Sequence, residues 1–317
     1  MKVSEIILGK GRDRKRRGPR PGWEKRIGLH NRLKDTANDD SQVKSVISEG
    51  GSLPGVGAIH ISEIEPTLTA LEKVLGVDLK NNALGSVGKK EFSGDIDIAL
   101  KIDAEQIPEF MDKLSKVPEI SDIKKTSVIM SKVKIVGYDP RKQVEGKERT
   151  GYVQIDFMLG DPDWMKVYYH APHEKKSKYK GALRTRMLST IAAIYNQDNS
   201  EATINDGRPL ESRRFMFSPQ DGLVRILRTP MPNKKGDGYT KQNKNEIIDG
   251  PWKTADKIAD ILNLGTGDDL DSFETLYNAV KKNYDNDTAT RIFKDFANSD
   301  IAKELGVPEE VKGYANV

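Results

Sequence analysis

Cysteine is absent from all 317 residues. No disulfide framework, thiolate metal site or cysteine nucleophile is therefore available. Long apolar runs are missing as well. Nothing approaches the roughly 18 apolar residues that a membrane-spanning helix needs. Ile6-Ile7-Leu8 is too short for the apolar region of a signal peptide. These absences predict an intracellular, cytoplasmic protein with no membrane partner. Histidine is scarce, and His170 and His173 have no third ligand nearby in sequence, so they read as loop residues. No Walker motif, no Rossmann glycine fingerprint and no Gly-x-Ser-x-Gly elbow occurs.

Charge is plentiful and unevenly placed. The formal net charge is +4. Between Lys10 and Lys34 eleven Lys/Arg stand against two acids, a local charge of +9. From Asp256 onward thirteen acids stand against seven bases, a local charge of −6. The distribution predicts a basic arm and an acidic module.

Residues 1–56 read as a basic, largely disordered arm, rich in Gly, Pro and Arg with little to bury. Arg12, Arg14, Lys15, Arg16, Arg17 and Arg20 are its candidate nucleic-acid-binding residues, through phosphate contacts. A solvated tail is the alternative. Order is expected from Ile61, with Pro66 in a first helical turn, Leu68, Leu71 and Leu75 at helical spacing, and Gly76 as the stop. GDIDIALKI alternates as a half-buried strand, which puts Asp95 and Asp97 on one face. AEQIPEFMDKLSKV predicts a helix, SVIMSKVKIVGY a strand, GYVQIDFML a second alternating strand, and KGALRTRMLSTIAAIYN a helix. Short strands are expected over 201–229. Residues 231–250 read as a linker, and 251–317 as an acidic module of four short amphipathic helices. The fold class is therefore α/β (α+β): a mixed sheet with flanking helices over 57–230, followed by a small helical module.

Three carboxylates carry the chemistry. Asp95 and Asp97 project side by side, and Asp156 lies on a later strand with the same alternation. Three hard oxygen donors suit Mg²⁺ or Mn²⁺, and two such ions can clamp an in-line phosphoryl displacement. Gly85 and Ser86 lie just upstream. Glycine permits close backbone approach to a phosphate, and serine offers a hydroxyl and an amide. Lys89 and Lys90 follow, either to neutralise a triphosphate or as a solvated loop.

This order resembles the DNA polymerase beta-like nucleotidyltransferase superfamily, whose motif runs hG[GS], [DE]h[DE]h, h[DE]h. Here the three parts are Leu84-Gly85-Ser86, Asp95-Ile96-Asp97-Ile98 and Ile155-Asp156-Phe157. The resemblance spans residues 61 to about 200. It implies catalytic, metal-binding Asp95, Asp97 and Asp156, two metal ions and an NTP or dNTP substrate. It also implies that Asp95 bridges the ions while Asp97 and Asp156 lie near the attacking side. A second similarity, to the palm of family X polymerases, covers YYHAPHEKKSKYKGALRTRMLSTIAA. The family's Thr-Gly-Ser is replaced by Lys-Lys-Ser, and Tyr168, Tyr169, Lys176, Ser177, Lys178 and Arg184 are the candidate nucleotide contacts.

The function expected is transfer of a nucleoside monophosphate to a hydroxyl, with a nucleic acid 3′ end as acceptor and nucleic acid as partner of the basic arm. The alternatives are a protein, small-molecule or second-nucleotide acceptor, or a non-catalytic nucleic-acid-binding protein with the same fold. The acidic C-terminal helices are a candidate protein-partner surface.

Overall fold

The computed structural model describes residues 53–315 apart from 147, 174 and 175. The chain divides into two units, Met1–Lys44 and Ser45–Val317, and the second holds every described residue. The arm candidates Arg12, Arg14, Lys15, Arg16, Arg17 and Arg20 lie outside the described residues.

The architecture is α+β, as the sequence predicts. It begins with β1 (Ile59–His60), α1 (Ile61–Leu75), β2 (Phe92–Ser93), β3 (Asp95–Leu100), α2 (Ile107–Ser115), β4 (Ile120–Lys125), β5 (Ile129–Lys134) and β6 (Tyr152–Leu159). These are followed by α3 (Pro162–Tyr168), α4 (Gly181–Ile194), β7 (Asp198–Asn199), β8 (Ser212–Ser218), β9 (Gly222–Pro232) and β10 (Tyr239–Trp252). Helices α5 (Ala255–Ile261), α6 (Phe273–Asn283), α7 (Asn286–Ala297) and α8 (Asp300–Leu305) complete the order.

One four-stranded sheet runs β3-β6-β5-β4. Its β3 and β6 are parallel, while β5 is antiparallel to both of its neighbours. The alternation sorts the two faces. Ile96, Ile98, Ile155 and Phe157 are fully buried and pack with Leu68 and Leu71 of α1 and with Phe110 and Leu114 of α2. Burying each such side chain is worth about 1.5–3 kcal/mol. The Phe110 and Phe157 rings meet edge to face with centroids 5.2 Å apart. The opposite face of β3 and β6 carries the aspartates.

Helix α1 starts earlier than the apolar spacing indicates. His60 caps it: its ring accepts from the Ser62 amide, while Glu63 reaches back to the His60 amide. Pro66 consequently sits inside the helix rather than in its first turn. Gly76 ends the helix at φ +68°, left-handed backbone that glycine adopts without a Cβ clash.

The same Glu63 forms a buried ion pair. The Arg149 Nη2 lies 2.5 Å from Glu63 Oε2, with both side chains out of solvent. Arg149 also donates to the carbonyls of Ala58, Asp139 and Lys142, and Glu63 accepts from the Asp139 amide. Burial pushes the Glu63 carboxyl up, but Arg149 and the Asp139 and His60 amides together hold it below its ordinary value. A depressed carboxyl contributes stability above the unfolded-state pKa, about 4.3 for glutamate, and loses it as pH falls through the folded value. Urea unfolding between pH 6 and pH 3 should therefore show the wild type losing this increment while Glu63→Gln does not. Parallel pH curves for the two proteins would show that Glu63 is not responsible.

A second, antiparallel sheet runs β10-β9-β8-β7. Residues 231–250, expected to be a linker, instead finish β9 and form most of β10, which pairs along β9. The four C-terminal helices occur where the sequence places them. Their core is shared: Trp164 of α3, Leu188 and Ile191 of α4, and Phe215 and Phe217 of β8 pack with Ile258, Phe273, Ile292 and Val311. This core crosses the boundary drawn between 230 and 251.

Among the described residues no helix is long and apolar enough to cross a membrane.

Candidate active site

The parallel register sets Asp97 of β3 directly beside Asp156 of β6, and Asp95 beside Gln154. All four residues share the face opposite the apolar core. Asp95 and Asp97 are half-buried, and Asp156 is buried. The Gln154 Nε2 donates to Asp156 Oδ1 at 2.7 Å, and its Oε1 accepts from the Leu53 amide at 2.9 Å. Gln154 thus ties the buried carboxylate to the start of the described chain. Among the described residues no three His, Asp or Glu side chains gather as a metal shell. The backbone brings the three aspartates to one face.

The segment leading into Gly85 and Ser86 is bonded to β3. The Leu84 amide donates to the Asp97 carbonyl at 2.9 Å, the Ala99 amide to the Asn82 carbonyl at 2.8 Å, and Ala83 bridges Ile98. The loop is thereby laid along β3 beside Asp97. Gly85 has φ +64°, and a Cβ there would lie 4.0 Å from the Tyr169 carbonyl. Its left-handed backbone, more than its lack of bulk, requires glycine.

Tyr169 borders the same site. Burial pushes its hydroxyl well above the ordinary range, and the neighbouring Tyr168 and the Asp97 carboxylate push it further. Burial likewise pushes Tyr168 up to about 12. Tyr168 is core: its ring stacks on Phe217 at 4.9 Å.

The basic candidates separate. Lys89 does not stand free for a phosphate: its Nζ donates to the Ala171 carbonyl at 2.6 Å and ties the Gly85 loop to the segment after α3. Burial pushes its amine below the ordinary range, opposed by Asp271 and reinforced by Arg184. Arg184 is buried. It donates from Nε to the Leu270 carbonyl at 2.6 Å and from Nη1 to those of Val167 and Tyr168 at 2.8 and 3.3 Å. Burial pulls its guanidinium down to about 10, with Asp271 opposing. These bonds engage Arg184 in holding α4 to the chain around it. Ser177 donates to Glu274 Oε2 at 2.8 Å, the Lys178 amide donates to Glu274 Oε1 at 3.2 Å, and the Lys178 ammonium lies 3.4 Å from Glu310. These contacts turn Ser177 and Lys178 toward the C-terminal helices. Lys176 is exposed, and Lys90 is half-buried beside Lys89.

His170, read as a loop residue, does more. Its Nε2 lies 2.7 Å from Asp271 Oδ1. Burial and Arg184 lower the imidazole below its ordinary value against the pull of Asp271. Gln154 and Asp271 are the polar residues that sequence reasoning missed. Gln154 carried a usable signal, since it lies two residues before Asp156 and so on the same strand face. Asp271 carried none, because its partner is 101 residues away.

Comparison with known proteins gives little beyond this geometry. No family model matches the chain. No curated protein matches it either. Two solved structures are similar over much of their length. The Leishmania infantum polymerase beta ternary P/T complex aligns at 12% identity and TM-score 0.32, over 65% of this chain and 73% of that one. The ternary gap complex of the same enzyme aligns at 14% identity and TM-score 0.36, over 68% and 71%. Scores this low establish no common family.

Proposed function

We propose that the protein is a nucleotidyltransferase, moving a nucleoside monophosphate from an NTP or dNTP to a hydroxyl acceptor, with a nucleic acid 3′ end as the first acceptor to test. The single observation that carries the reading is the in-register pairing of Asp97 and Asp156 on parallel strands, with Leu84, next to Gly85 and Ser86, bonded to the first of them. Asp95, Asp97 and Asp156 would hold Mg²⁺ or Mn²⁺, and the donor set of hard oxygens on one strand face suits such ions. When bound, the ions would supply charge neutralisation at the phosphates and lower the pKa of the attacking hydroxyl.

The chain's own groups do the rest. The Gly85-Ser86 backbone and the Ser86 hydroxyl offer donors to terminal phosphate oxygens beside the carboxylates. Gln154 orients Asp156 through the bond to Oδ1. Lys89 fixes the loop through Ala171 and so positions Gly85 and Ser86. Tyr169 remains a neutral hydroxyl next to Asp97, able to donate to a substrate oxygen or to flank a sugar.

Incubation with each labelled NTP and dNTP, with Mg²⁺ or Mn²⁺ and with or without a primed oligonucleotide, tests the reading. Label is expected on the primer. Label on the protein or in a small product would move the acceptor elsewhere, and no transfer from any nucleotide under any condition would defeat the proposal.

A further inference from the structure

A groove outside this site is lined by the C-terminal end of α4 with Gln197, by Arg214 of β8, and by Arg291, Lys294 and Asp295 of α7. Arg184, which anchors the other end of α4, lies ten residues from Ile194, about 15 Å along the helix. The groove gathers three cations around one carboxylate, and two of them, Arg291 and Lys294, belong to the C-terminal region whose net charge is −6. Arg214, Arg291 and Lys294 form no ion pair among the described residues. Asp295 meets Arg186 at 3.5 Å instead.

The cations are also crowded. Arg214 pairs with Ile226 across the sheet and Arg228 with Ser212, so the two arginines are diagonal neighbours on one face. Burial pulls the Arg214 guanidinium down to about 10, Arg228 adds to this, and Asp295 opposes it. The Nε atoms of Arg214 and Arg228 are buried and have no hydrogen-bond partner among the described residues. A half-buried guanidinium with an unused Nε donor beside a second arginine is costly, and an anion with several oxygens at Arg214 relieves both costs at once.

We propose that this groove is a second anion site that takes phosphate groups, with Arg214, Arg291 and Lys294 as its ligands. Guanidinium forks match phosphate geometry bidentately, and Lys294 adds a point charge. The phosphates can come from a nucleic-acid strand or from a small polyphosphate. The proposal does not depend on the reading of Asp97 and Asp156.

The test uses the full chain in EDTA, so that metal-dependent binding at the aspartates is silent. Two probes are titrated against wild type and Arg214→Gln/Arg291→Gln/Lys294→Gln: a fluorescent 20-nucleotide oligothymidylate and inorganic pyrophosphate. Loss of about tenfold in affinity at fixed salt is expected for at least one probe. For the strand, the salt slope should fall by about 2, at roughly 0.7 per contact removed. Loss confined to the oligonucleotide makes the source a strand, and loss confined to pyrophosphate makes it a small polyphosphate. If the triple variant does not fold, Arg291→Gln/Lys294→Gln carries the test, because both side chains are exposed on α7. Unchanged affinity and slope for both probes in a folded variant overturns the proposal.

Discussion

Asp97→Asn together with Asp156→Asn should abolish nucleotidyl transfer while leaving the protein folded. The two carboxylates are register partners on parallel strands, and their neighbours Ile96, Ile98, Ile155 and Phe157 hold the sheet from the opposite face. Neutralising both removes two of the three anionic oxygen donors that would hold a divalent ion. The interactions lost are worth several kcal/mol in the transition state, so a fall of about 1,000-fold or more is expected. Stability should change little or rise slightly, because like charges on adjacent strands repel. Asp156 is the more sensitive of the two for folding, since it is buried and accepts from Gln154. Asparagine keeps an acceptor oxygen for that bond. Labelled-nucleotide turnover and thermal melts of the single and double variants measure both effects. Turnover surviving in the double variant would remove these residues from the chemistry.

Arg149→Ala should be the most destabilising single change in the first sheet's half of the structure. Removing one partner of a buried ion pair leaves the other charge without compensation and typically costs 3–5 kcal/mol. Here Glu63 would lose its guanidinium, and three carbonyls, those of Ala58, Asp139 and Lys142, would lose a donor. Arg149 also lies 4.8 Å from the Tyr138 ring centroid and 5.5 Å from that of Phe92. The apolar replacement Glu63→Leu/Arg149→Met should recover much of the loss, because it removes both charges together. Urea midpoints of the three proteins decide this. A loss below about 1 kcal/mol in Arg149→Ala would mean that the pair exerts little hold on the fold.

The parts of the fold that were legible share one property: their pattern is set by burial on one face. DIDIAL and VQIDFML alternate because Ile96, Ile98, Ile155 and Phe157 go into the core, and that alternation alone puts the aspartates on one face. The C-terminal helices were legible for the same reason at helical period. Strand β10 was not, since nearly all of its side chains are exposed and only its backbone pairing to β9 makes it a strand. Helix α3 was missed although Asp161 caps it and Pro162 opens it, because seven residues are too few to display a period. The surroundings of the basic candidates were not legible for a different reason. Arginine on a helix and lysine after a glycine loop look available for phosphate in one dimension. Whether they are depends on carbonyls of Leu270, Val167 and Ala171, which no local pattern announces.

The two cores also differ in when they can be completed during synthesis. The first closes once β6 ends at Leu159, since its members run from Ile59 to Phe157 with Leu159 alongside. The second opens at Trp164 and needs residues as late as Val311. While the ribosome makes that stretch, the apolar faces of α4 and β8 have no cover, and a nascent chain in that state is exposed to self-association. The aspartate strands can be in place long before then, but His170 and Arg184 complete their hydrogen bonds only when Leu270 and Asp271 arrive. The site would thus mature in two stages, first the carboxylate strands and later the fixing of the surrounding loops.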